Sequence, residues 1–113
     1  MLYTTANETS GVSKELDQLL SKQQAVVADA MDRYIRSAHL PKEVRSLRNG
    51  IFELRVRAEC CAIRLHFANT SDSSGRVALA LLVVNKKTQQ ARNQEIEKSL
   101  KRLSDWEERH RPR

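Results

Sequence analysis

The sequence holds 113 residues, 40% of them apolar, with a formal net charge of +6 and a pI near 9.7. That is one domain with apolar side chains for one modest core, which excludes wholesale disorder. The longest apolar run, Val77–Val84, has strand length, far short of the roughly 20 residues that span a bilayer, and no basic-then-apolar stretch marks a signal peptide, so a cytoplasmic protein that does not cross a membrane is expected.

Leu2–Thr5 reads as a short edge strand, and residues 6–11 as a polar turn. From Ser13 a helical pattern puts Val12, Leu16, Leu19 and Leu20 on one face. Ser21, with Gln24 three residues on, has the form of a capping box. It predicts a break near Ser21 and a second helix over 22–38, with Val27, Ala30, Met31, Tyr34 and Ala38 facing the core; one long bent helix is the alternative. Leu40-Pro41 ends that helix, because the residue before proline avoids helical geometry.

Residues 42–50 form a basic connector. A strand over 51–57 follows, Phe52, Leu54 and Val56 pointing one way and Glu53, Arg55 and Arg57 the other. Residues 58–61 read as a turn, and a second strand carries Ile63, Leu65 and Phe67 on one face, Arg64 and His66 on the other. Residues 69–75 are rich in Ser, Asp and Asn and read as a loop. The strand over 76–84 is apolar on both faces and therefore central. After a polar exit over 85–90, a helix over 92–108 buries Ile96, Leu100, Leu103 and Trp106, and a basic tail over 109–113 is expected to fray. The order predicts a single α+β domain: a small antiparallel meander with two N-terminal helices and one C-terminal helix, the helices on one face of the sheet. Cys60 and Cys61 are adjacent, which suits neither a disulfide framework nor a zinc site; two reduced thiols beside a turn are expected, with no metal or other cofactor.

The candidate chemistry lies on the alternating hairpin. With the turn centred between Glu59 and Cys60, Arg55 stands opposite Arg64 and Glu53 opposite His66. Facing arginines repel unless an anion sits between them, and guanidinium groups grip a phosphate with paired hydrogen bonds. The bland alternative is a solvated face neutralised by Glu53 and Glu59. Lys42, Arg45 and Arg48 precede the hairpin, while Lys86, Lys87 and Arg92 follow the central strand; together they would rim one sheet face as a nucleic-acid surface. His66 either shuttles protons in phosphodiester cleavage or pairs with Glu53 at the surface. Few aromatics, 4%, argue against a base-stacking platform.

These residues resemble a family. The run Ser46-Leu47-Arg48-Asn49-Gly50-Ile51-Phe52-Glu53-Leu54-Arg55, the strand Ile63-Arg64-Leu65-His66-Phe67, the strand exit Val83-Val84-Asn85-Lys86-Lys87-Thr88-Gln89 and the helix start Glu95-Ile96-Glu97-Lys98-Ser99-Leu100 occur in the order seen in HigB-like toxins of the RelE superfamily, including phage-derived relatives. The resemblance covers roughly residues 40 to 105. It implies a RelE/ParE-like fold and the toxin of a type II toxin–antitoxin pair, a ribosome-dependent, metal-independent mRNA endoribonuclease in which a ribose 2′-hydroxyl attacks the adjacent phosphate. By position it implies catalytic roles for Arg55 and Arg64, the strand arginines, and for Lys86 and Lys87 at the strand exit; His66 joins them as a catalytic candidate from its place on the hairpin, and the basic residues Lys42, Arg45, Arg48, Arg57 and Arg92 are expected to contact RNA. It implies as partners mRNA on the ribosome and a cognate antitoxin of the helix-turn-helix, HigA-like kind; a homodimer is left open. Asn85 stands where these relatives often carry His and no Tyr follows Tyr34, which leaves His66 or Lys87 to move protons. The alternative is a catalytically degenerate RelE-fold protein that acts by binding a protein or nucleic-acid target.

Overall fold

The computed structural model describes residues 2–5, 12–38, 42–58, 61–72, 75–85 and 92–110. The elements run β1 (Leu2–Thr5), α1 (Val12–Asp17), α2 (Ser21–Ile35), β2 (Val44–Ser46), β3 (Phe52–Ala58), β4 (Cys61–Asp72), β5 (Gly75–Val84) and α3 (Arg92–Arg109). One five-stranded sheet has the order β1-β5-β4-β3-β2; β2 to β5 form an antiparallel meander and β1 pairs with β5 in parallel. The fold class is the expected α+β, with two N-terminal helices and one C-terminal helix.

The helices do not share a face. Strand alternation sends Leu54, Val56, Ile63, Leu65, Phe67, Ala78 and Ala80 to one side, where they pack with Val12 and Leu19 of the α1 region and Val27, Ala30 and Met31 of α2. Ile51, Ala68, Val77, Leu79 and Leu81 form a second core on the other side, under Leu100, Leu103 and Trp106 of α3. The expectation of one helical layer fails because β5 is apolar on both faces and each face needs a cover. In the first core the Phe67 ring meets Tyr34 edge-on at 4.8 Å and stacks on Phe52 at 5.6 Å.

Several boundaries move for local reasons. The α2 cap is Leu20, not Ser21: the Gln23 side chain accepts from the Leu20 N–H at 3.0 Å, so the predicted cap shifts by one residue. Leu20 is accordingly exposed, not part of the α1 apolar face. The helix ends before Leu40-Pro41, which lies outside the described residues: Ala38 N–H bonds the Arg33 carbonyl and Ser37 N–H that of Tyr34, with Ser37 left-handed at φ 58°. That paired pattern closes the helix and leaves Ala38 exposed. Arg33 then ties α2 to Glu43 at 2.6 Å and also pairs with Asp29.

The basic connector contains a strand. Val44–Ser46 pairs with Phe52–Leu54 through a turn in which Asn49 and Gly50 both take positive φ, 53° and 83°. Asn-Gly is the pair that such a tight hairpin favours. The expected loop at 69–75 is largely strand as well: β4 continues to Asp72 opposite Gly75. A register shift between His66 and Phe67 leaves Leu81 bulged from the β4–β5 ladder.

Candidate nucleic-acid face and its buried polar layer

The β3–β4 register is the one the alternation predicts: Arg55 faces Arg64, and Glu53 faces His66. Since Arg45 pairs with Glu53 across β2 and β3, the residues Arg45, Glu53, Arg55, Arg57, Arg64 and His66 all project to the α3 side of the sheet.

That side is divided. Against α3 lies a buried polar layer. His66 is fully buried; its Nδ1 is 2.9 Å from Ser99 Oγ on α3 and its Nε2 is 3.4 Å from Glu53 Oε2. The other Glu53 oxygen is 3.5 Å from Nε of the half-exposed Arg45. Arg64, 3% exposed, meets the Glu95 carboxylate of α3 at 3.3 and 3.4 Å. His66 does pair with Glu53, but inside the protein and not at the surface. Away from α3, Arg55 and Arg57 are exposed, so the β2–β3 half of this face presents cations to solvent while the β4 half is roofed.

Three further contacts fix the roof. β1 stops opposite Ala80, and beyond it the Leu81 carbonyl accepts from Arg102 at 2.8 Å while the Val83 N–H donates to Glu15 at 3.1 Å. Arg102 and Glu15 join at 2.9 and 3.1 Å, fastening α1 to α3 around the end of β5. A cavity of about 510 Å³ opens there, walled by Glu15, Gln18, Val84, Asn85, Glu95 and Lys98.

Of the other basic residues, Lys42 and Arg48 are exposed before β2 and in the β2–β3 turn. Arg92 opens α3, and its side chain, like Lys86, Lys87, Glu59 and Cys60, lies outside the described residues. The structure therefore brings Arg45, Arg55, Arg57 and Arg64 onto one face and leaves Lys42 and Arg48 near its β2 end. Among the described residues no cluster of His, Cys, Asp and Glu side chains is arranged to hold a metal, and no helix is long and apolar enough to cross a membrane. Sequence reasoning missed Glu95, Ser99 and Arg102. Their signal was spacing: 95, 99, 102 and 106 form one row on α3, ending in the buried Trp106.

The family model described as phage-derived protein Gp49-like (DUF891) matches residues 14–104. It spans α1 to α3 and thus includes the N-terminal helices, where the sequence offers no motif. No curated protein matches the chain. With so much of its length matched, the chain belongs to the phage-derived Gp49-like family, a toxin-like family related to RelE and HigB.

Proposed function

We propose that this protein, a member of the HigB-like branch, is the toxin of a toxin–antitoxin pair and cleaves mRNA on the ribosome. The observation that carries the reading is the cross-strand pair Arg55–Arg64, continued by Arg57 and Arg45 on the same face. Facing cations raise the energy of the empty site and lower it when a phosphate lies between them. In the reaction the 2′-oxygen forms a bond to the adjacent phosphorus and loses its proton, the bond from phosphorus to the 5′-oxygen breaks, and that oxygen takes up a proton. A 2′,3′-cyclic phosphate and a 5′-hydroxyl result. The arginines would stabilise the charge that grows on the phosphorane oxygens. Lys86 and Lys87, at the exit of β5, are the proposed partners in that task; Lys42, Arg48 and Arg92 would hold the flanking backbone. His66, sealed between Glu53 and Ser99, would support the face from within, which leaves Lys87 as the proposed proton carrier. A helix-turn-helix, HigA-like antitoxin is the proposed partner that restrains the toxin, in the cytoplasm of the host, where ribosomes work.

A second reading is favoured by one observation: Arg64 and His66 are both roofed by α3. On that reading the protein binds its target through the exposed arginines and does not cut.

The test is controlled expression in a bacterial host with mapping of mRNA 5′ ends, beside an Arg55→Ala/Arg57→Ala variant. These two side chains are exposed, so their loss spares the core. Growth arrest with new ends inside translated codons, lost in the variant, is expected. Arrest without new ends would replace cleavage by binding, and the absence of both would reject the toxin reading.

A further inference from the structure

Arg64 is a buried cation that, among the described residues, is paired with a carboxylate on another layer of the molecule. Two features separate this pair from an ordinary structural ion pair. The contact is loose: both N–O distances exceed 3.2 Å, and among the described residues neither Arg64 Nη1 nor Glu95 Oε2 completes a hydrogen bond although both atoms are sealed from solvent. A charge-assisted pair of this kind closes to 2.7–2.9 Å when its geometry is unconstrained. The pair also has an approach from outside, because Glu95 and Val84, the cross-strand partner of Arg64, both wall the cavity at the end of β5.

We propose that Glu95 is an internal substitute for phosphate, holding the anion site of Arg64 until the backbone of an RNA strand displaces it. The inference rests on the reading of the arginine face as an RNA surface and adds the regulation of that surface. A carboxylate and a phosphate offer a guanidinium the same pair of acceptor oxygens. The exchange keeps Arg64 neutralised throughout, so the buried charge is never left alone. Phosphate has a reason to win: Arg55 stands across from Arg64 and adds a second cation that Glu95 leaves exposed to solvent. The displaced Glu95 has somewhere to go, since Lys98 lies three residues on along α3, is more than half exposed and lines the same cavity. Free protein is thereby held in a state of low anion affinity, and its apparent affinity is lowered by the fraction in which Arg64 is free.

The experiment measures binding of inorganic phosphate and of a 2′-O-methyl oligoribonucleotide, which cannot be cleaved, to the purified full chain. Wild type is compared with Glu95→Asp, Glu95→Gln and the double variant Arg64→Gln/Glu95→Gln. Both probes should bind Glu95→Gln about tenfold more tightly than wild type, as expected if Arg64 is free in roughly a tenth of the molecules. Glu95→Asp, whose shorter arm loosens an already long contact, should fall between them, and it carries the test alone should Glu95→Gln fail to fold. The double variant should lose the gain. Unchanged or weaker binding by folded Glu95 variants would overturn the proposal, as would a gain that survives in the double variant. A cleavage assay separates the two readings. Tighter binding with no cleavage by any variant would uphold the shielding and reject the ribonuclease; cleavage by wild type that falls in Glu95→Gln would make Glu95 a participant and overturn the shielding.

Discussion

Ser99 Oγ and His66 Nδ1 meet at 2.9 Å between α3 and the sheet, and both residues are fully buried. The contact is one of the few polar fastenings of that layer. Ser99→Ala should therefore lower stability by about 1–3 kcal/mol, the usual cost of stranding a buried polar group. Urea denaturation measures it; a change within experimental error would mean that the ring finds another partner.

The Arg102–Glu15 pair should cost a similar amount to break. Arg102→Ala takes the Leu81 carbonyl's guanidinium donor away and leaves the partly buried Glu15 carboxylate with the Val83 N–H and Lys98, a loss of about 1–3 kcal/mol. Glu15→Gln/Arg102→Met should recover part of that loss, and a double-mutant cycle would show the coupling.

Two backbone positions should respond with opposite signs. Ser37 closes α2 in a left-handed conformation that costs an ordinary residue about 1–2 kcal/mol, so Ser37→Gly should stabilise the protein by about 1 kcal/mol. Gly50 takes φ 83° in the β2–β3 turn, and although a Cβ there meets nothing within 4 Å, Gly50→Ala should destabilise by about 1–2 kcal/mol through backbone strain alone. Thermal melts of the two variants should shift in opposite directions.

Arg55→Ala and Arg57→Ala should each stay within about 0.5 kcal/mol of the parent stability, as exposed substitutions do. If each side chain holds one phosphate of a single strand, each loss should lower the salt dependence of RNA binding by about 0.7 in the log–log slope. Titrations at several salt concentrations read this directly.

The hairpin register was legible because alternation and turn position together admit one pairing: Arg55 against Arg64 follows once Phe52, Leu54 and Val56 must share a face with Ile63, Leu65 and Phe67. The strand β2 was missed: Asn49-Gly50 carries the turn signal, but the basic composition before it reads as a connector. The end of β4 was not legible, because Asn69, Thr70 and Ser71 have the composition of a loop and are held as strand only by the facing residues of β5. The burial of Arg64 was least accessible of all. It depends on a partner 31 residues away, and nothing local to an alternating strand tells an arginine under a helix from its exposed neighbour.

The point where β1 runs out has a last consequence. Among the described residues β1 pairs with β5 only as far as Ala80, and a strand flank left open is a template on which another polypeptide can add, the usual route to aggregation and strand exchange. Here Arg102 and Glu15 consume the Leu81 carbonyl and the Val83 amide, so an incoming chain would find those groups taken and a charged pair in its way. The two residues that lock the helices together also occupy the backbone groups that an added strand would pair with.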